Sequence, residues 1–203
     1  GVGEKAFCAG ADLGGALGAA GDGPPQAALD YAALLGRMLG YAKPLVARVN
    51  GPCLAGGMGL MLGCHLVLAR DDATFSLPEV NVGIFPMMVG ALLYRNVGRK
   101  KAMDLVLTGR RVGAAEAERI GLITRAVPAD ALDREVGKTL ALMATRSPIG
   151  LKIGLEAFHG MSDLPVEEAL AALCGALGRS LDTDDAKEGM RAFMEKRRPE
   201  FTG

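Results

Sequence analysis

The fold is decided by the stretch Leu45-Val46-Ala47-Arg48-Val49-Asn50-Gly51-Pro52-Cys53-Leu54-Ala55-Gly56-Gly57-Met58-Gly59. Residues 45–49 predict an apolar strand, and the apolar run after residue 55 predicts a helix. Gly56 and Gly57 lie where the strand gives way to the helix. Their backbone N–H groups therefore face outward at a helix N-terminus with partial positive charge, which suits a developing negative oxygen or a phosphate.

The residues that follow these glycines favour the negative oxygen. A phosphate loop requires a lysine and a hydroxyl residue here, whereas Gly59 is followed by Leu60 and Met61. A second segment also delivers bare backbone N–H groups after a short predicted strand, and its sequence is Ala6-Phe7-Cys8-Ala9-Gly10-Ala11-Asp12-Leu13. Two amides, one from each segment, can hold a single acyl oxygen.

Length and composition predict one substantial core and exclude several classes of function. The 203 residues include 23 basic and 23 acidic side chains, and this balance provides no field that would attract nucleic acid. Neither the four cysteines nor His65 and His159 have metal-ligand spacing. With no secretory signal visible, a reduced, cytoplasmic setting fits best. We interpret the apolar run 51–69 as core rather than as a membrane helix, because it contains a proline, a histidine and interior glycines.

The order of the predicted elements indicates an α/β protein rather than a helical bundle. Up to residue 76, strands alternate with helices, as in repeated right-handed crossover units. Beyond residue 86 the chain is mostly helical. The predicted helices are 24–41, 55–64, 87–95, 99–107, 114–120, 131–146, 147–158, 166–181 and 184–197; the predicted strands are 6–8, 45–49, 66–69, 74–76 and 123–127; a glycine-rich loop spans 14–23.

With these motifs in this order, the whole chain resembles the crotonase, or enoyl-CoA hydratase/isomerase, superfamily. The motifs are residues 6–13 and 43–59, the segment Ala73-Thr74-Phe75-Ser76-Leu77-Pro78-Glu79, and the tail Phe193-Met194-Glu195-Lys196-Arg197-Arg198-Pro199. The resemblance implies a crotonase-like spiral of ββα units over 1–128 and a C-terminal helical trimerisation region over 129–203. Superfamily members have several strands and a helix before the first motif, so we expect that this stretch is missing or that this is an unusually short member.

The same resemblance implies the partners. The substrate is expected to be an acyl-CoA thioester, with coenzyme A as part of the substrate and with no separate cofactor, metal or membrane span. The expected assembly is a homotrimer or a hexamer made of two trimers. One face of the region 166–181 fits such an interface, although packing within the chain would explain it equally well; its apolar residues are Leu170, Leu173, Leu177 and Leu181.

The resemblance also assigns the catalytic roles. Removal of a proton beside a thioester carbonyl requires stabilisation of the enolate oxygen, and the N–H groups of Ala11 and Gly56 are expected to provide it. Glu79 is the expected acid or base, because its apolar surroundings should desolvate the carboxyl and raise its affinity for a proton. The alternatives are an exposed loop glutamate and glycines that serve packing alone. The other predicted substrate-binding residues are Ala9, Gly10, Asp12, Leu13, Leu54, Gly57, Gly59, Pro78, Gly83 and Met87.

Gly59 departs from the pattern of superfamily members that hydrate a double bond, which carry a second glutamate at this position. A single carboxylate can move a proton from one carbon to another, so we rank isomerisation above hydration, although Asp12 could replace the missing group. The thioester hydrolases of the superfamily use an aspartate where this chain has Met87. Met87 and Met88 are interpreted as walls for an acyl chain or as ordinary core. Hydrolysis and a non-catalytic acyl-CoA-binding subunit remain alternatives.

Overall fold

The computed structural model of the 203-residue chain describes residues 1, 3–10 and 23–203. Except for Gly23, the glycine-rich loop predicted over 14–23 lies outside these residues, and so do three predicted site residues, Ala11, Asp12 and Leu13. The chain divides into two compact units. The first comprises Gly1–Met38 and Leu45–Val136, and the second comprises Leu39–Pro44 and Gly137–Gly203.

Helices and short strands alternate in the first part of the chain, and helices alone follow. Two 3₁₀ helices, Pro78–Val82 and Ala129–Ala131, interrupt the order. The remaining elements are α1 (Gln26–Leu39), β1 (Val46–Val49), β2 (Cys53–Leu54), α2 (Gly56–Leu62), β3 (Leu66–Arg70), β4 (Thr74–Ser76), α3 (Met87–Asn96), α4 (Arg99–Thr108), β5 (Val112–Gly113), α5 (Ala114–Arg119), β6 (Arg125–Val127), α6 (Leu132–Ala144), α7 (Pro148–Met161), α8 (Val166–Leu181) and α9 (Asp184–Met194).

The described strands of the first unit form two sheets. One sheet has the order β1-β3-β6 and is parallel throughout, so each connection must cross over as the alternation of strands and helices predicts. The other has the order β2-β4-β5, with β2 and β4 parallel and β5 antiparallel. The two shortest strands, β2 and β5, have two residues each, and the sequence did not predict them.

The first sheet is buried, and its apolar sequence explains why. Leu68 on β3 and Val127 on β6 pack against Leu132 at the start of α6, each less than 5% exposed. Strands of a parallel sheet are covered on both faces and therefore consist of nearly continuous apolar residues. His65, just before β3, also has a structural place, since its Nδ1 accepts a hydrogen bond from the backbone N–H of Leu45 at 2.9 Å.

The second unit is held by helix packing and by one buried carboxyl. Helices α7 and α8 pack against each other, and α9 contacts both. Asp185 on α9 is 3% exposed. It accepts hydrogen bonds from the Ser147 hydroxyl at 2.7 Å, from the Thr202 N–H at 2.9 Å and from the Gly203 N–H at 3.4 Å. The C-terminal residues are thereby tied to the helices of this unit.

Most predicted elements agree with the structure to within a few residues at each end. The interpretation of residues 51–69 as core is confirmed, because this run forms β2, α2 and β3. In the described part of the chain, no helix combines the length and the apolar character that crossing a membrane requires. The strand predicted at 6–8 is reduced to a single bridge at Cys8, and residues Pro78–Val82, for which no element was predicted, form a 3₁₀ helix.

Candidate active site

Three neighbouring segments of the first unit end at the same edge of a sheet. Cys8 forms a parallel bridge with Cys53 at the start of β2. The next strand, β4, is parallel to β2, with Leu54 opposite Ser76. Because parallel segments end on the same side, the residues that follow each of them emerge together, as they do at ligand sites of parallel sheets. These are residues 9–10, 55–56 and 77–79.

The middle segment carries a backbone conformation that is unusual for its residue type. Ala55 has φ 50° and ψ −129°, a conformation that costs free energy and is typical of functional sites. It is held by the hydrogen bond that its N–H donates to the carbonyl of Ser76, at 3.0 Å. The next residue, Gly56, begins α2, and an amide in the first turn of a helix has no partner within that helix. The Gly56 N–H is therefore presented at the strand-end edge.

Gly10 lies beside this amide. Its φ of +100° is a left-handed conformation that favours glycine, and a Cβ at this position would lie 2.8 Å from the Cβ of Ala55 and 3.8 Å from the nitrogen of Gly56. The backbone of Gly10 thus approaches the nitrogen of Gly56. Ala9 is exposed at the same edge. The two-amide arrangement itself stays a prediction, because Ala11 lies outside the described residues.

Gly57 has a clear packing role. A Cβ at Gly57 would lie 2.7 Å from the Cβ of Cys8 and 2.7 Å from its carbonyl oxygen. These distances are shorter than atoms of a folded protein tolerate, so the first turn of α2 can approach the Cys8 segment only with glycine here. By contrast, a Cβ at Gly56 would meet only Tyr31, at 3.7 Å, which is an ordinary contact. Packing therefore explains Gly57 but not Gly56.

The space beside Gly59 is filled by a residue that the sequence did not point to. Tyr31 on α1 donates a hydrogen bond from its hydroxyl to the carbonyl of Gly56 at 2.5 Å. A Cβ at Gly59 would lie 2.0 Å from that hydroxyl oxygen. Tyr31 lies on the half-buried face of α1, four residues before the buried Leu35, and no sequence motif includes it. Its position in the sequence, among apolar residues of an amphipathic helix, is the one signal that could have drawn attention to it.

Glu79 lies in the 3₁₀ helix that follows β4. Pro78 occupies the first turn of this helix, where proline is favoured, and Gly83 ends it with φ +78°. Glu79 is half-buried, and its Oε2 atom is buried without a hydrogen-bond partner. Burial raises the pKa of the Glu79 carboxyl, and a hydrogen bond from its own backbone N–H partly opposes the shift. The desolvation expected from the sequence is confirmed.

Several exposed apolar residues follow Glu79 in the chain. Met87, which the sequence predicts at the substrate, is 67% exposed at the start of α3. Its neighbours in the chain are also exposed apolar residues, namely Val82, Ile84 and Phe85. Leu54 is half-buried on β2, and Pro78 is half-buried beside Glu79. The described residues contain no group of three or more histidine, cysteine, aspartate or glutamate side chains that could hold a metal ion.

This edge can perform acid–base chemistry. It combines a desolvated carboxyl with a free helix-start amide and apolar surroundings. The fold that presents it is the α/β crotonase fold. A solved enoyl-CoA hydratase from Bacillus anthracis superposes with a TM-score of 0.91 at 31% identity, over 100% of this chain and 79% of that chain. One from Mycobacterium smegmatis has a TM-score of 0.89 at 32% identity, over 97% of this chain and 77% of that chain.

Sequence comparison leads to the same family. A Thermus thermophilus protein is 40% identical over an alignment of 204 positions, which covers 97% of this chain and 79% of that protein. The family model described as enoyl-CoA hydratase/isomerase matches residues 1–203. The chain therefore belongs to the enoyl-CoA hydratase/isomerase family, whose members are acyl-CoA enzymes of the hydratase or isomerase type.

Proposed function

We propose that this protein shifts a carbon–carbon double bond in an acyl-CoA thioester, with Glu79 as the single acid–base group. The observation that carries the proposal is the state of the Glu79 carboxyl. One of its oxygens is buried without a partner, at the strand-end edge that also presents the Gly56 amide. A carboxyl whose pKa is raised by burial can both accept and return a proton near neutral pH.

The proposed reaction has two steps and consumes no water. Glu79 first accepts the proton from the carbon beside the thioester carbonyl, and the electron pair of the broken C–H bond moves toward the carbonyl oxygen. Glu79 then returns the proton to the carbon two positions further along the acyl chain. The double bond is left conjugated to the thioester, and the carboxylate is restored. These two steps need only one acid–base group, because the same proton leaves and returns.

The enolate oxygen formed in the first step needs hydrogen-bond donors. We assign this role to the N–H groups of Ala11 and Gly56, each worth about 3 kcal/mol by analogy with deleted oxyanion donors. Two features support the assignment of Gly56. Its N–H lies in the first turn of α2, and the conformation of Ala55 is fixed by a hydrogen bond to β4. For Ala11, the support is the approach of Gly10 to the Gly56 nitrogen.

The surroundings of Gly59 favour isomerisation over hydration. Hydration requires a water molecule held against the carbon that it attacks, and a second carboxylate is one way to hold it. Gly59 supplies no side chain, and the adjacent volume contains the Tyr31 hydroxyl. That hydroxyl already donates its proton to the Gly56 carbonyl. Asp12, the replacement considered from the sequence, lies outside the described residues.

Hydration is the second candidate. It is favoured by the names of the solved relatives, since those from Bacillus anthracis and Mycobacterium smegmatis are both called enoyl-CoA hydratases. Under this alternative, a water bound beside Glu79 would add to a 2-enoyl-CoA. The two candidates predict different preferred substrates, because an isomerase acts on a 3-enoyl-CoA and a hydratase on a 2-enoyl-CoA.

The proposal extends to the substrate, the assembly and the cellular setting. Coenzyme A enters as part of the substrate, and no separate cofactor takes part in the two steps. We propose a homotrimer or hexamer, because three residues of the apolar face predicted on α8 stay at least 48% exposed in the single chain: Leu170, Leu177 and Leu181. A cytoplasmic setting agrees with four cysteines that are all free. Light scattering on the purified protein measures the assembly directly.

Exchange in heavy water tests the enzyme proposal. The protein is incubated with a saturated acyl-CoA after its binding has been confirmed by calorimetry, and deuterium at the carbon beside the thioester is measured by mass spectrometry. Enzyme-dependent exchange is expected. Bound thioester without exchange above background would indicate a non-catalytic binding subunit. Parallel rates with 3-enoyl and 2-enoyl substrates then distinguish isomerase from hydratase.

A further inference from the structure

The hydroxyl of Tyr31 lies over the first turn of α2. It donates a hydrogen bond to the Gly56 carbonyl at 2.5 Å, and its oxygen is 2.0 Å from the place that a Cβ of Gly59 would take. The ring carbon that bears the hydroxyl is 3.1 Å from the same place. The phenol therefore occupies the volume that a side chain at Gly59 would otherwise fill.

This volume belongs to the site that contains Glu79. Gly56 and Gly59 are three residues apart and so lie on the same face of α2. Gly56 follows β2, which pairs with β4, the strand that precedes the 3₁₀ helix of Glu79. The electrostatics agree with this proximity. Burial raises the pKa of Tyr31 to about 12, and the charges of Cys8, Cys53 and Glu79 add to the shift. The phenol thus stays neutral, and its hydroxyl continues to donate its hydrogen bond to the Gly56 carbonyl.

Removal of the hydroxyl would change what this volume can hold. The Gly56 carbonyl would lose a partner at 2.5 Å, and a space of about one oxygen atom would open beside it. A small polar space next to a carbonyl oxygen, which has two lone pairs, is where a protein binds an ordered water. With tyrosine in place, the chain's own oxygen occupies that position and no water is needed there.

We propose that Tyr31 determines the reaction specificity of this site by occupying the position in which a water molecule would lie beside the substrate. The proposal rests on the proposed function of Glu79. With the position filled, the proton that Glu79 removes can return only to carbon. With the position open, a water oxygen can form a bond to the third carbon of a 2-enoyl thioester while one of its O–H bonds breaks and that proton passes to Glu79, which delivers it to the second carbon. The products are then a 3-hydroxyacyl thioester instead of a shifted double bond.

The test measures both outcomes in Tyr31→Phe, which removes the hydroxyl and keeps the ring. Isomerisation is followed with a 3-enoyl-CoA, and hydration is followed with a 2-enoyl-CoA in ¹⁸O-labelled water. We expect the ratio of hydration to isomerisation to rise about tenfold or more, which corresponds to a change of about 1.4 kcal/mol in the difference between the two barriers. Tyr94→Phe is the matched control, because Tyr94 is 44% exposed on α3, and it should leave the ratio at the wild-type value.

Three results are distinguishable. An unchanged ratio in Tyr31→Phe, or an equal loss of both activities, would mean that Tyr31 only supports the structure, and the inference would be overturned while the role of Glu79 stands. If the wild-type protein binds acyl-CoA but neither exchanges nor isomerises, the proposed function fails, and the inference fails with it. Should Tyr31→Phe not fold, Tyr31→Leu vacates the same hydroxyl position, and the same rise in the ratio is expected.

Discussion

Two carboxyl groups in this protein are withdrawn from solvent in opposite ways. Glu79, in the first unit, has a buried oxygen without a hydrogen-bond partner, and burial raises the pKa of its carboxyl. Asp185, in the second unit, accepts three hydrogen bonds, from the Ser147 hydroxyl and from two backbone N–H groups of the C-terminal tail. The Ser147 hydrogen bond is the main cause that lowers the pKa of Asp185, followed by that from Thr202.

The difference matches the roles that we propose for the two groups, a reactive role for Glu79 and a structural role for Asp185. Hydrogen bonds to Asp185 stabilise its charged form, so the carboxylate serves as a fixed acceptor that ties the tail down. Glu79 receives no such support at its buried oxygen, and the cost of desolvation is left uncompensated. A folded chain retains an uncompensated group of this kind where a ligand or a proton is to be received. Substitutions at either carboxyl test this difference.

The largest effect is expected from Glu79→Gln. The amide has nearly the same shape but cannot accept and return a proton, so isomerisation and deuterium exchange should fall at least about 100-fold, the lower range for loss of a general acid–base. The free energy of unfolding should not fall, because the substitution removes a desolvated charge. Turnover assays and urea unfolding measure the two quantities.

Glu168→Gln is the matched control for this variant. Glu168 is an exposed residue in the first turn of α8, and the same chemical change there should leave the turnover intact. A Glu79→Gln protein that exchanges deuterium at the wild-type rate would show that another group moves the proton. Glu79 would then be a buried carboxyl without a catalytic role.

The next effect is expected at the other carboxyl, from Ser147→Ala. The Ser147 hydroxyl caps α7 by accepting the N–H of Gly150 at 2.9 Å, and it donates to Asp185 at 2.7 Å. Loss of the cap and of one donor to a buried carboxylate should cost about 2 kcal/mol. Ser162→Ala, at an exposed serine after α7, should change stability by less than about 0.5 kcal/mol. Equal urea midpoints for the two variants would contradict the view that Asp185 is a structural centre.

The sequence predicted the part of the site that depends on local order along the chain. The family resemblance assigned roles to Gly56 and Glu79 and a place at the substrate to Gly10, and each of the three follows a predicted strand. The raised proton affinity of Glu79 followed from its apolar neighbours. The sequence missed β2 and β5, because two-residue strands have no measurable alternation of apolar and polar residues.

Tyr31 could not be predicted by the same reasoning. It lies 25 residues before Gly56 in the chain, and it reaches the site only through the packing of α1 on α2. Nothing in the local sequence indicates which face of α1 meets the glycines. The same limit applies to Asp185, whose three donors come from the start of α7 and from the C-terminal tail. Contacts of this range depend on the packed structure, and periodicity reports only that a face is apolar.

A smaller effect tests whether Tyr31 closes the side of the site at Gly59. Gly59→Ala would force the Tyr31 hydroxyl away from a methyl group that would lie 2.0 Å from it, and the hydrogen bond to Gly56 would be lost. In the Tyr31→Phe background no hydroxyl is present. We therefore expect Gly59→Ala to be more favourable by about 1 kcal/mol in that background than in the wild type, the net worth of one hydrogen bond.

Gly36→Ala provides the control for this cycle. Gly36 also lies within a helix, but a Cβ there meets nothing within 4 Å. Its effect on the urea midpoint should be the same in both backgrounds. Additive effects of Gly59→Ala and Tyr31→Phe would show that the phenol does not fill the space beside Gly59.

The smallest effect is expected in the pH dependence of stability, where the two carboxyls should act with opposite signs. Because the folded-state pKa of Asp185 lies below its ordinary value of 3.8, its stabilisation is present above that pH and is lost as the pH falls through the folded-state pKa. The pKa of Glu79 lies above its ordinary value of 4.5. Its contribution is therefore most favourable below pH 4.5 and declines as the pH rises through the folded-state pKa.

The two variants should therefore change different limbs of the stability curve. Asp185→Asn should flatten the acid limb, and Glu79→Gln should raise the stability relative to the wild type at pH values above 4.5. Urea unfolding from pH 3 to pH 7, at constant salt, measures both limbs. Shifts of the same sign in the two variants would mean that both carboxyls are held by hydrogen bonds, and the distinction between a reactive and a structural group would be lost.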